Sequence, residues 1–385
     1  MIAYSLMMAG TSLMVLLAGI IGTEFAPSSD LATLPIALVV VGVAASTLPT
    51  GRLLHKFGRR RVFVAYGLIA IAAALTAMQS LIAGTFICFC VAAFMMGWAG
   101  AAGHQYRFAA LEAVPAEMAP KATSFLLLGG ILAAFVGPEL AVWGRGLLST
   151  EYAGSFLLLS FSYLVGLAII SFNKDSEATQ SSHHGSGRPL SVILKSPMVI
   201  LAISAAAMGY GVMSFIMTAT PINMHLHAGH SLEATKFVIQ SHIAAMYLPS
   251  LVFAWLFGKI GFRGMMWSGV TVYLVCLGTA ALNTEFLNYW LALILLGIGW
   301  NFLFLSGTNL LPYGYRKEER FRVQSMNDFL VFSVQAVASL CSGWFLFHWQ
   351  WKGVLFACMP LVLGFLVLLW SSGDVKSRLE GSKSS

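Results

Sequence analysis

Apolar residues in this chain form long runs that are interrupted by short polar segments. Each run has roughly the 20 residues that an α-helix needs to cross the hydrocarbon core of a bilayer. Helices are expected because backbone polar groups in lipid must be hydrogen-bonded within their own segment. The pattern predicts twelve spans, at residues 2–22, 32–54, 62–80, 84–106, 122–143, 153–172, 197–218, 237–257, 265–283, 287–311, 322–345 and 353–371.

The composition also indicates a membrane protein. Of the 385 residues, 58% are hydrophobic and only 10% are charged, whereas about a quarter are charged in a soluble domain. The first apolar run lacks a charged leader and is long for a signal peptide, so we interpret it as a span. The five cysteines lie within apolar runs and are odd in number, which argues against a disulfide framework.

The basic residues predict the orientation in the membrane. With a cytoplasmic N-terminus, all but three of the 22 Lys and Arg residues fall in cytoplasmic loops or helix ends, the exceptions being Arg145, Lys236 and Lys352. This is the positive-inside bias. It predicts a multi-pass protein of the cytoplasmic (inner) membrane with both termini in the cytoplasm. The net charge of +7 then signals orientation, and we expect the lipid bilayer, not nucleic acid, as a partner.

The chain divides into two related halves. The polar segment KDSEATQSSHHGSGRP separates six spans from six and is typical of a flexible linker. The segments LLHKFGRR at 53–60 and LFGKIGFR at 256–263 agree at four of eight positions, as expected for a duplicated transporter fold. We predict an N-terminal bundle, a cytoplasmic linker, a C-terminal bundle and a cytoplasmic tail, at 1–173, 174–196, 197–371 and 372–385.

The stretch GRLLHKFGRRR at 51–61 resembles the loop between helices 2 and 3 of the major facilitator superfamily, whose pattern is roughly G-x-L-A-D-R-x-G-R-R/K. His55 stands where that family usually has Asp. The segment GGILAAFVGPELAVWGR at 129–145 is similar to the Gly-rich fifth helix of many exporters in the superfamily. Three further stretches, QYRFAALEAVP, VIQSHIAAMYLPS and VQSMNDFLVFS, resemble a bacterial subgroup of these transporters.

The resemblance implies an all-α integral membrane protein with twelve transmembrane helices in two pseudo-symmetric six-helix bundles. It also implies a secondary transporter that moves a small organic solute by alternating access, and we expect proton coupling, no cofactor and a monomer. No enzyme signature is present, since the Gly-rich segments lack the features of a phosphate loop. The incomplete Gly-Pro pattern of helix 5 slightly favours export. Uptake of a vitamin or metal chelate and a transporter-like sensor are the alternatives.

Seven residues are candidates for a cytoplasmic gating latch. Glycines at the loop permit a tight turn, and an arginine fork can hold a carboxylate at the end of a neighbouring helix. Such pairs form in one state of an alternating-access cycle and break in the other. The alternative is that the cations only set the topology. The candidates are Gly51, His55, Gly58, Arg59, Arg60, Glu112 and Asp328.

Three ionisable residues within the spans are candidates for proton coupling, because such residues are costly in lipid. Glu139 either carries the coupling proton or pairs with Arg145 near the outer boundary. Asp328 lies in the eleventh predicted span, 322–345, on a polar stripe with Gln324, Asn327 and Gln335. It is either a proton or substrate site or part of the latch. His242 is either a hydrogen-bonded contact between helices or a protonation switch.

The resemblance places helices 1, 4, 7 and 10 around a central cavity. Aromatic and methionine side chains there suit a partly apolar organic solute, although packing explains any one of them equally well. The cavity candidates are Thr11, Trp98, Met213, Met217, Trp300, Asn301, Thr308 and Asn309.

Two histidine clusters are candidates for metal sites. His225, His227 and His230 lie in the loop between helices 7 and 8, and His183 and His184 lie in the linker. Histidine is a common ligand of transition metals. The spacing matches no closed site, and the linker pair lacks further ligands. We therefore predict no bound metal.

Overall fold

The structure is a computed structural model that describes residues 2–112, 119–172 and 187–373. Side chains are described throughout these ranges except at 55, 104–112, 119–128, 172, 254, 317, 320 and 321. The described residues form helices and turns without a strand. The helices are α1 Ile2–Phe25, α2 Leu34–Phe57, α3 Arg59–Ile82, α4 Phe86–Glu112, α5 Ala119–Trp143, α6 Ala153–Phe172, α7 Leu190–Ile193, α8 Pro197–Ile222, α9 Leu232–Tyr247, α10 Ser250–Leu282, α11 Phe286–Leu310 and α12 Arg320–Ser371.

Nine helical stretches of the described residues are long and apolar enough to cross a membrane. Two of the helices, α10 and α12, continue through the turn between two spans. At 1.5 Å per residue, the 52 residues of α12 would reach about 78 Å, more than twice the hydrocarbon thickness. The backbone of α12 turns at Gln350, and that of α10 turns at Gly261. Dividing both helices there, and joining α9 to the first part of α10, gives an arrangement consistent with the twelve predicted spans.

The internal repeat predicted from sequence recurs as a repeated backbone turn. Gly58 joins α2 to α3 with φ 80° and ψ 164°. Gly261 breaks α10 with φ 65° and ψ −175°. Both conformations are nearly restricted to glycine. The two glycines occupy equivalent positions in the two matching segments, so each half reverses its chain in the same way.

Helix contacts define the two halves and the seam between them. In the first half α1 packs on α5 and α6, α2 on α4, and α3 on α4 and α6. In the second half α8 packs on α11 and α12, and α11 packs on α9 and α10. The halves meet through α1 with α8, α2 with α12, and α5 with α9. This confirms the predicted fold class.

The bundle has two ends, which we name by their loops. The basic end holds the start of α1, the turn at Gly58 and the segment 187–196. The far end holds the loop 26–33, the π-helical turn Asn223–His227 and the turn at Gln350. The predicted domain boundaries fall partly outside the described residues, because 173–186 and 374–385 are not among them.

Candidate functional site

A cavity of about 180 Å³ lies between the two halves. Helices α1, α2, α4 and α5 line it from the first half, and α8, α9 and α12 line it from the second. The lining residues, all from the described part of the chain, include no Asp, Glu, Lys or Arg. An uncharged lining favours an uncharged solute, because a buried ion without a counter-charge loses much of its solvation free energy.

Part of the sequence-predicted lining faces this cavity. Thr11 on α1 and Met213 and Met217 on α8 all contribute to it. Thr11 is exposed, whereas both methionines are buried against the core. Met246 on α9 adds another thioether. Methionine adapts its shape to irregular apolar partners, so these side chains suit an organic ligand.

An aromatic wall stands on the side of the second half. Tyr210 and Tyr247 line the cavity, and the buried Trp300 packs behind both, with ring centroids 5.2 Å and 6.5 Å away. Phe304 stacks on Trp300 at 4.8 Å. Sequence reasoning missed both tyrosines. Tyr210 could have been found, because it lies three residues before Met213 and therefore on nearly the same helix face.

The remaining cavity candidates lie elsewhere. Within the described residues, the lining does not include Trp98, Trp300, Asn301, Thr308 or Asn309. Asn301 is buried and donates hydrogen bonds to the Met246 carbonyl and the Ser250 hydroxyl, both at 2.7 Å. Asn309 is exposed and donates to the carbonyl of Leu305 in its own helix at 2.7 Å. Asn301 thus joins its helix to its neighbours, and Asn309 bonds only within its own helix in these contacts.

His242 on α9 is a polar group in the cavity wall. Its side chain is fully buried, and its Nδ1 lies 2.7 Å from the carbonyl oxygen of Leu293 on α11. A carbonyl only accepts, so Nδ1 carries the proton and Nε2 of the neutral ring presents a lone pair. Among the described residues Nε2 has no hydrogen-bond partner. An unsatisfied buried acceptor costs about 1–3 kcal/mol.

Glu139 belongs to an ion pair that joins the halves near the far end. Its Oε1 lies 3.1 Å from Nζ of Lys236 on α9, and Gln240 donates to the same oxygen at 3.3 Å. Arg145, the partner considered from sequence, instead binds Glu151 in its own half at 2.5 Å. Glu139 is therefore an inter-half contact, although its role in proton coupling stays a prediction.

Further contacts join the halves at the same end. Nδ1 of His348, at the far end of the first part of α12, lies 3.5 Å from Oδ1 of Asp30 in the loop before α2. Gly343 packs so closely on Thr33 that a Cβ would clash with its side chain. The far-end portions of α1 and α8 are buried as well. These contacts bring the two halves together beyond the cavity.

The basic loop carries part of the predicted latch. Gly58 forms the turn, and Gly51 lies on an open face of α2. Arg59 is half-buried at the start of α3. Arg60 donates from Nη2 to the carbonyl of Ser171 in α6 at 2.7 Å, which ties this loop to its own half.

The other latch candidates are described only in part. Asp328 is half-buried in α12 and accepts a hydrogen bond from Asn327 at 3.0 Å. Glu112 ends α4 and His55 lies near the end of α2, and both side chains lie outside the described ones. The latch therefore stays a prediction.

At the basic end, Glu319 anchors the later part of the predicted linker, at Arg188. Its carboxylate is fully buried and accepts from Nε and Nη2 of Arg188 at 2.9 and 2.7 Å. The backbone N–H groups of Arg188 and Arg316 donate to it as well, each at 2.8 Å. These donors, with the Arg188 guanidinium first, lower the pKa of Glu319 to about 2. Sequence reasoning missed this pair, because its members are 131 residues apart.

The histidine loop at the far end uses its rings for backbone contacts. Nδ1 of His225 lies 2.7 Å from the His230 carbonyl, and Nε2 of His230 lies 2.9 Å from the Thr284 carbonyl. No group of three or more His, Cys, Asp or Glu side chains in the described ranges is placed to hold a metal ion. The linker pair at 183–184 lies outside those ranges.

Comparison with known proteins places these features in a family. The Major Facilitator Superfamily profile matches residues 1–338. The chain is 34% identical to the riboflavin transporter RfnT of Brucella anthropi over 375 residues, which cover 96% of this chain and 93% of that protein. It is 28% identical to the uncharacterized MFS-type transporter YdeG of Bacillus subtilis, over 95% of this chain and 89% of the relative.

A second Bacillus subtilis relative, the uncharacterized MFS-type transporter YddS, is 29% identical over 88% of this chain and 82% of its own length. The profile match covers most of the chain, and the relatives align with nearly all of it. Together with the helical fold and the cavity between its halves, they show that this multi-pass membrane protein belongs to the major facilitator superfamily of transporters.

Proposed function

We propose that this transporter carries riboflavin, or an uncharged solute with a similarly flat heteroaromatic ring, into the cell across the cytoplasmic (inner) membrane. The similarity to a riboflavin transporter along nearly the whole chain supports this substrate. The observation that carries the proposal is the cavity, whose lining among the described residues carries no Asp, Glu, Lys or Arg and includes Tyr210 and Tyr247. A neutral ring system needs no counter-charge there and stacks favourably on aromatic side chains.

The positive-inside bias supports a cytoplasmic position for the basic end and for both termini. The far end then faces outward. The contacts of Glu139 with Lys236 and of Asp30 with His348 join the halves on that outer side. Alternating access requires these contacts to break while the predicted latch at the basic end forms.

The direction of transport is proposed as uptake. The Gly-Pro pattern of helix 5 slightly favoured export, but Gly137 has a packing role that is independent of direction. A Cβ at Gly137 would clash with the Ala9 carbonyl and the Ser12 hydroxyl of α1. Small residues at such crossings let helices approach closely. Coupling of uptake to protons through Glu139 or Asp328 is part of the proposal.

Accumulation of labelled riboflavin in membrane vesicles tests the function. We expect right-side-out vesicles that contain the protein to accumulate riboflavin well above vesicles from cells with an empty vector. An imposed inward proton gradient should increase the accumulation, and this increase should disappear when Glu139→Gln and Asp328→Asn are combined. Folded protein that moves no riboflavin in right-side-out or inverted vesicles would contradict the proposal, and accumulation in inverted vesicles alone would indicate export.

A further inference from the structure

His242, in the cavity wall, holds one unsatisfied hydrogen-bond acceptor in a fixed orientation. The bond from Nδ1 to the Leu293 carbonyl, at 2.7 Å, holds the ring against α11. With the proton on Nδ1, Nε2 can only accept. It has no partner among the described residues and is itself buried in this conformation, although the residue His242 belongs to the cavity lining. Buried acceptors are nearly always satisfied, and a solute in the cavity can supply the donor when the wall adjusts around it.

The residues around His242 indicate which kind of solute could donate a hydrogen bond to Nε2. Ile243 and Met246 beside it on α9 and Tyr247 one turn further along line the same cavity. A flat ring fits against such a wall, with a polar group on its edge directed at the imidazole. Thr11 and Gln335 also line the cavity. Hydroxyl and amide groups both donate and accept, so they suit the hydroxyls of a sugar-like chain.

We propose that Nε2 of His242 accepts a hydrogen bond from an N–H on the edge of the substrate's heteroaromatic ring, and that this bond makes the transporter select substrates with that donor. The inference rests on the proposed function. The oxidised ring system of riboflavin has one N–H, the imide between its two carbonyl groups. The imide N–H is therefore the group that His242 binds.

A methyl group on the imide nitrogen removes the donor and leaves the rest of the flavin unchanged. Binding of riboflavin and of 3-methylriboflavin to the purified full-length protein is measured by quenching of flavin fluorescence. We expect the wild-type protein to bind riboflavin about tenfold more tightly, because the methylated ring leaves Nε2 unsatisfied. Exchange of labelled riboflavin in proteoliposomes should show the same preference.

Two substitutions separate the hydrogen bond from a steric effect of the methyl group. In His242→Asn the amide can still donate to Leu293, but no acceptor replaces Nε2. In His242→Gln the side-chain oxygen can replace Nε2. We expect His242→Asn to lower riboflavin affinity about tenfold and abolish the preference, and His242→Gln to restore part of both. His227→Asn is the matched control, since its exposed ring contacts Phe347 at the far end, away from the cavity.

The outcomes distinguish this inference from the proposed function. Wild-type protein that binds riboflavin and 3-methylriboflavin equally overturns the role of His242 and leaves riboflavin transport standing. A His242→Asn protein with unchanged riboflavin affinity also overturns it, because only a steric clash then explains any preference. Folded wild-type protein that binds neither flavin overturns the proposed function itself. The wild-type comparison needs no variant, so the inference is testable even if His242→Asn fails to fold.

Discussion

At the scale of single residues, Gln350 and Gly261 adopt nearly the same backbone conformation at different cost. Gln350 has φ 57° and ψ −169°, and Gly261 has φ 65° and ψ −175°. Both stand where the chain reverses between two spans. This region is essentially restricted to glycine, and another residue there costs about 1–3 kcal/mol. The turn at Gln350 is therefore strained, whereas the turn at Gly261 is not.

Replacing Gln350 by glycine should relieve this strain. The side chain is exposed, so its removal costs little packing. We expect Gln350→Gly to raise the free energy of unfolding by about 1 kcal/mol, measured by thermal or chemical unfolding in detergent. Gln350→Ala is the control, because it removes the same side chain and keeps the strain. Equal stability of the two variants would show that the conformation is not the source of the effect.

At the scale of elements, Arg188 and Glu319 hold the start of the second half together. Arg188 lies in the predicted linker just before the short helix α7, and Glu319 immediately precedes α12. The Arg188 carbonyl in turn accepts a hydrogen bond from Arg322. A Cβ at Gly187 would lie 2.6 Å from Cγ of Glu319, so the segment passes directly over the carboxylate. The end of the linker is thus attached to α12 and not free.

The Glu319→Gln substitution should weaken this attachment. It removes the charge and turns an amide N–H₂ toward donors, so we expect a loss of about 2 kcal/mol in the free energy of unfolding at pH 7. Glu318→Gln is the matched control, because Glu318 is the exposed neighbour. A loss that is equal in both variants would contradict a specific role for the buried carboxylate.

The same pair predicts a pH dependence. The pKa of Glu319 falls from 4.5 to about 2 on folding. Its contribution is therefore complete above pH 4.5 and is lost as the pH falls toward 2, where the folded state also becomes protonated. The difference in unfolding temperature between wild type and Glu319→Gln should shrink across this window. A difference that stays constant down to the lowest pH at which the protein folds would exclude the charge as its source.

At the scale of the whole molecule, contacts near the far end hold the two halves together in this structure. Lys236 contacts Glu139 across the seam at 3.1 Å and Glu233 in its own helix at 2.7 Å. Lys236 therefore keeps Glu233 as an ion-pair partner when the Glu139 carboxylate is removed. The pair is partly exposed, so it contributes about 1 kcal/mol to closure.

Breaking this pair should open the far end more often. We expect Glu139→Gln to increase the population of the conformation that is open at the far end about fivefold. The measurement is the rate at which an impermeant maleimide, added outside right-side-out vesicles, labels Met217→Cys in a background without the native cysteines. Glu151→Gln is the control, since it breaks an ion pair at the same end within one half. Identical labelling rates in the two variants would contradict the role of the inter-half pair.

The apolar runs predicted membrane-spanning helices and the fold class, and the match between residues 53–60 and 256–263 predicted the internal repeat. Each of these depends on local composition, because a segment in lipid must bury its own polar groups whatever its neighbours are. The glycine of the repeat could be assigned to a turn since few other residues adopt its conformation. Membership of the superfamily followed from the same stretch, and the profile match confirmed it.

Only the tertiary structure decided which polar side chains face the cavity and which join helices. Thr11 and His242 line it, whereas Asn301, an equally plausible candidate, spans from α11 to α9 and α10. The pairs Glu139–Lys236 and Arg188–Glu319 likewise join residues far apart in the chain. The rotation and packing of helices set these contacts, and a local pattern does not encode them. The sequence alone thus determined a helical transporter with many spans, and the packing of its two halves determined where the cavity lies.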